Sequence, residues 1–85
     1  MKEVIVFKQY PCAPCVMAQE FMEEKGLVAD KTYNLSSGES EALMKAGIHG
    51  VLKTPTFLVL EDGKEIYRYQ GAGRGNIAKV FEQAK

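Results

Sequence analysis

Val4-Ile5-Val6-Phe7 is an unbroken run of β-branched and aromatic residues between Lys2-Glu3 and Lys8-Gln9. A strand with one wet face alternates apolar and polar residues. This run does not, so it reads as a strand covered on both faces, hence central in a sheet. Thr56-Phe57-Leu58-Val59-Leu60 is a second such run, with Pro55 at its start, the one strand position where a missing N–H is tolerated. Two inner strands require helices on both sides, and the segments between and after the runs supply them.

After the first run, Gln9-Tyr10-Pro11 breaks the strand and Cys12 stands at the expected N-cap of a helix. Pro14 falls in the first turn, where its missing N–H is harmless. Val16, Met17, Ala18, Phe21 and Met22 continue the helix, Glu20, Glu23 and Glu24 form its wetter side, and Gly26 ends it. Lys31 to Leu35 is a weaker strand. Ser36 and Glu39 have the spacing of a capping box for a second helix holding Ala42, Leu43 and Ala46, stopped by Gly47. Ile48 to Thr54 connects to the second apolar run. Asp62-Gly63 predicts a tight hairpin turn into an alternating edge strand, Glu65 to Gln70. A loop, Gly71 to Gly75, leads to a last helix carrying Ile77, Ala78, Val80 and Phe81.

The order is β-α-β-α-β-β-α, an α/β chain with a four-stranded mixed sheet and helices on both faces. A length of 85 residues allows one domain, 1–85, with one core. Eleven basic and eleven acidic residues cancel, so no long-range field recruits nucleic acid or an anionic membrane. Neither apolar run approaches the length of a membrane span and no cleavage signal follows Phe7, so a cytoplasmic monomer is expected. The Met17, Met22 and Met44 side chains read as core fillers, and His49 as a solvated loop residue.

Cys12-Ala13-Pro14-Cys15 contains both cysteines of the chain. At a helix start they lie one turn apart, able to close a small disulfide or to share a metal. As a staple the pair is poor, because it closes too short a loop to restrain the unfolded chain. A small secreted domain usually carries several disulfides, whereas one close pair in a reducing compartment points to redox or metal chemistry. Structural zinc or an iron–sulfur cluster takes four ligands, and His49 is the single histidine, so carboxylates or a second subunit would have to complete the sphere. For redox chemistry the position is favourable. The unpaired N–H groups and positive dipole end of a helix start favour thiolate over thiol. Cys12 is then the expected exposed attacking thiol and Cys15 the deeper resolving one, working through a mixed disulfide. No metal or other cofactor is expected on this reading.

With these residues in this order, the chain resembles the thioredoxin superfamily along nearly its whole length. The Cys12-Ala13-Pro14-Cys15 motif follows the first strand, Thr54-Pro55-Thr56 precedes a later one, and the Asp62-Gly63 hairpin leads to Gly71-Ala72 and a last helix. The resemblance implies a thioredoxin-like fold and a cis Pro55 packed against the cysteines. It also implies that Thr54 offers its backbone N–H and C=O to an extended substrate segment, with Tyr10 and the Gly71-Ala72 loop as further walls of the groove. The implied activity is reduction of protein disulfides, recycled by a thioredoxin-reductase-type donor. The alternatives are a glutathione-dependent glutaredoxin, with Lys8, Lys53 and Arg74 as candidate carboxylate partners, and a non-catalytic metal-binding module. The length and the absence of tryptophan resemble glutaredoxins or the small glutaredoxin-like thioredoxins, whereas Pro14 and Gly71-Ala72 resemble thioredoxins, so the chain is most similar to a small glutaredoxin-like thioredoxin. Two departures stand out. Val6 occupies the position, six residues before Cys12, where thioredoxins usually carry a buried aspartate; and Val51-Leu52-Lys53-Thr54 lengthens the connection from Gly50 to Pro55.

Overall fold

The two apolar runs become the two inner strands of one sheet. The computed structural model describes residues Met1–Lys85. It contains β1 (Lys2–Lys8), α1 (Ala13–Lys25), β2 (Lys31–Asn34), α2 (Ser40–Ile48), β3 (Thr56–Glu61), β4 (Lys64–Gln70) and α3 (Arg74–Gln83). The strand order is β2-β1-β3-β4. The β1/β2 pair is parallel, as the connection through α1 demands, and β1/β3 and β3/β4 are antiparallel. The expected topology, mixed sheet and two-sided helix cover are all present. No helix is long and apolar enough to cross a membrane.

Period-two alternation divides each inner strand between two cores. Val4, Val6, Phe57 and Val59 point to one face, where they meet Ala18, Phe21 and Met22 of α1 and Ile77 and Val80 of α3. Ile5, Phe7, Leu58 and Leu60 point to the other, where they meet Tyr33, Ala42, Ala46 and Val51. Burying each large side chain of this kind contributes about 1.5–3 kcal/mol. The second face is covered by one short helix, and α2 turns alanines toward the sheet so that its backbone can approach closely.

Local signals explain most boundaries. Gly26 closes α1 at φ 66, and the Leu27 N–H reaches the Met22 carbonyl at 2.8 Å, a left-handed helix cap. Asp62 and Gly63 both have positive φ, 52° and 86°, as a two-residue hairpin requires.

Several sequence expectations are corrected. The helix α2 begins at Ser40, its N-cap Glu39 makes no side-chain cap, and it runs through Gly47 to Ile48. Ser36 therefore caps nothing; its hydroxyl is engaged elsewhere. Leu43, Met44 and Met17 are exposed, so of the three methionines only Met22 fills the core. His49 is half-buried at the C-cap of α2, its ring 6.3 Å from that of Phe7. In each case packing between elements overrode a local pattern.

Candidate active site

The strand-to-helix turn after β1 carries Cys12 at the N-cap of α1, with Pro14 in the first turn. The Cys15 N–H donates to Cys12 Sγ at 3.2 Å, so the sulfur occupies the place of a capping oxygen. The two cysteines form a disulfide, with an S–S distance of 2.24 Å and Cα atoms 5.2 Å apart. Cys15 is buried at 7% exposure, whereas Cys12 is half-buried at the surface. No cluster of three or more His, Cys, Asp or Glu side chains is arranged to hold a metal ion.

Tertiary structure brings Thr54 against this pair. Cys12 Sγ lies 3.9 Å from the Thr54 carbonyl oxygen and 3.7 Å from its Oγ1. A disulfide sulfur has no proton, so in this state the Thr54 hydroxyl is the donor. The Thr54-Pro55 bond is cis, as the resemblance implied, and Pro55 is buried. A second cis bond joins Tyr10 to Pro11. Thr54 lies just outside β3, and its N–H and C=O take part in no backbone hydrogen bond.

The other sequence candidates surround this contact. Gly71 donates its N–H to the Pro55 carbonyl at 3.0 Å, joining the last loop to the proline segment. Ala72 packs on the α1/α3 side of the core. Tyr10 is 75% exposed, yet its backbone is held: Ser36 Oγ accepts its N–H at 2.8 Å and donates to its carbonyl at 2.9 Å. Sequence reasoning missed Ser36 because its spacing to Glu39 suggested a helix cap.

Two arginines are tied to partners of their own. Arg68 of β4 donates to the carbonyls of His49 and Gly50 just beyond α2, and pairs with Glu65 at 2.7 Å. The Arg68 hydrogen bond, against a smaller opposing effect of burial, holds the Glu65 carboxyl below its ordinary 4.5. Arg74 lies 3.6 Å from Glu24 and over the Phe21 ring. Of the three cations considered as glutathione contacts, it is already engaged.

Val6 is buried in the apolar core and offers no carboxylate to the cysteines. A cavity of about 330 Å³ instead reaches Cys15 from the side of β1, lined by Lys8, Gln19, Glu20, Glu23 and Asn34 among others. It leaves one flank of the buried Cys15 open to water.

The sequence matches no protein-family model and no curated protein. Solved structures do match. The thioredoxin of Malassezia sympodialis superposes with a TM-score of 0.75 at 25% identity, over 98% of this chain and 74% of that one. Thioredoxin NaTrxh of Nicotiana alata gives 0.74 at 26% identity, over 99% and 73%. The thioredoxin of Fasciola hepatica gives 0.71 at 26%, over 99% and 81%. This likeness runs from β1 to α3 and so includes the cysteine turn itself. With a disulfide closed at the head of the first helix, the chain belongs to the thioredoxin superfamily and is a thiol–disulfide oxidoreductase.

Proposed function

We propose that this oxidoreductase reduces disulfides in protein substrates, with Cys12 attacking and Cys15 resolving, and that a thioredoxin-reductase-type donor restores the dithiol. The observation that carries the reading is Thr54: its backbone groups make no backbone hydrogen bond, and its carbonyl stands 3.9 Å from the more exposed sulfur. A substrate segment that pairs with them aligns its own disulfide with Cys12, whatever its side chains.

In the first step the Cys12 thiolate forms a bond to one substrate sulfur, and the other substrate sulfur leaves as a thiolate and takes up a proton. The Cys15 N–H and the Thr54 hydroxyl both point at Cys12 Sγ and favour its negative charge. In the second step the Cys15 thiolate attacks Cys12 Sγ. The mixed disulfide breaks, the second substrate thiolate departs, and two electrons have passed from the dithiol to the substrate. The proton of Cys15 leaves through water in the cavity beside it, since Val6 offers no carboxylate. Pro55, Gly71, Ala72 and Tyr10 form the walls around the docked segment. A single cysteine pair suits a reducing compartment such as the cytoplasm.

The test is disulfide reduction in insulin. Cys12→Ser abolishes turnover, and Cys15→Ser accumulates a mixed disulfide on Cys12 that intact-mass spectrometry detects. Full turnover by Cys12→Ser overturns the assignment. Efficient recycling by glutathione alone, with none by a thioredoxin reductase, overturns the choice of donor.

A further inference from the structure

Leu52 is 92% exposed, yet it stands in a segment that is pinned on both sides. On one side, Val51 is buried and its N–H donates to the Ala46 carbonyl at 2.8 Å. On the other, the Lys53 carbonyl accepts the Thr56 hydroxyl at 2.5 Å, and Pro55 is buried. Arg68 holds the carbonyls of His49 and Gly50 just upstream. The leucine is thus held out in water by a backbone with little freedom to fold it back.

Its place in the fold is informative. Two residues separate by at most about 7 Å along a chain, so Leu52 lies within that reach of Thr54, and Tyr10 within the same reach of Cys12. Two exposed apolar residues, each on a held backbone, thus stand within a short chain reach of the contact between Cys12 and Thr54. Backbone pairing at Thr54 grips any extended segment and does not select among them. A fixed apolar knob does, because its ordering entropy is already spent in the free protein.

We propose that Leu52 is a specificity-determining contact, which receives an apolar side chain close to the cysteine of an extended polypeptide docked on Thr54. The inference rests on the protein-disulfide reading above and names the substrate chemistry that the groove prefers.

The test uses two short synthetic peptides, each carrying a cysteine in mixed disulfide with 2-nitro-5-thiobenzoate, with either leucine or serine at the two residues flanking it. Release of the coloured thiolate reports turnover, and 5,5′-dithiobis(2-nitrobenzoate) serves as a disulfide without a chain. The wild type favours the leucine peptide by about tenfold in kcat/KM, the scale of burying part of one leucine side chain. Leu52→Ser brings the two peptides to parity, through KM and not kcat, and leaves turnover of the chainless disulfide unchanged. Leu52→Met keeps the preference. Equal use of both peptides by the wild type, or a preference that survives Leu52→Ser, overturns the Leu52 contact alone. Failure of the wild type to reduce either peptide, with the chainless disulfide still turned over, overturns the protein-disulfide reading and this inference together.

Discussion

Ser36 grips Tyr10 by both of its backbone groups, its Oγ accepting the N–H at 2.8 Å and donating to the carbonyl at 2.9 Å. The residues are 26 apart in sequence, on the loops that leave β1 and β2. Because β1 and β2 are parallel neighbours, both loops emerge at the same end of the sheet. The pair ties the segment before Cys12 to the rest of the molecule.

Removing that tie loosens the turn without touching a sulfur. Ser36→Ala lowers stability by about 0.5–1.5 kcal/mol, since water reaches these exposed groups and replaces part of the loss. Urea unfolding measures the change. Insulin reduction falls with it, whereas Ser36→Thr, which keeps the hydroxyl, retains most of both. An unchanged urea midpoint in Ser36→Ala removes the tie from the account.

Gly71 cannot carry a side chain where it stands. Its φ is 138°, and an added Cβ meets the Tyr69 hydroxyl at 2.7 Å. Gly71→Ala destabilises the protein by about 1–3 kcal/mol. In a Tyr69→Phe background the same substitution has a smaller effect, because the nearest clashing atom is gone, while the Gly73 N–H that donated to that hydroxyl loses its partner. A double-mutant cycle by urea denaturation reads the coupling directly, and strict additivity contradicts it.

The Glu65–Arg68 pair makes stability depend on acid. Glu65 is held below 4.5 in the folded chain, chiefly by the Arg68 hydrogen bond. A depressed carboxyl contributes stability above its unfolded value, and the contribution is lost as the pH falls through the folded value, so the window lies below pH 4.5. The pair is about a third exposed, and water screens it, so the effect at pH 7 stays within about 1 kcal/mol. Wild type therefore exceeds Glu65→Gln slightly in thermal midpoint at pH 7, and the two curves converge on acidification below 4.5. Parallel curves through that range contradict the linkage.

Close packing of α2 predicts a contrast between adjacent positions. Ala42 is 1% exposed against the sheet, and Leu43 faces solvent. Ala42→Leu overpacks the interface and costs about 1–3 kcal/mol. Leu43→Gln stays within about 0.5 kcal/mol. Since the end of α2 leads through Val51 to Thr54, Ala42→Leu also lowers kcat/KM for insulin. Equal chemical-denaturation midpoints for the two variants would refute this placement of the helix.

The sequence by itself determined the inner strands, the helix headed by Cys12 and closed by Gly26, and the Asp62-Gly63 hairpin. These depend on the residues' own neighbours: apolar runs, a proline in a first turn, a glycine able to take positive φ. It also made the sulfur pair inevitable as a chemical centre, because both cysteines lie one helical turn apart. Tertiary structure alone decided what faces that centre. Thr54 is 42 residues from Cys12 and touches it only because β1 and β3 pair side by side. Ser36 had one local partner on paper, Glu39, and the parallel strands gave its hydroxyl to Tyr10. Arg68 reaches carbonyls 18 and 19 residues away from the neighbouring edge strand, a contact no spacing rule encodes. Short-range stereochemistry is written in adjacent residues; a site built across strands exists only once the sheet has set their order.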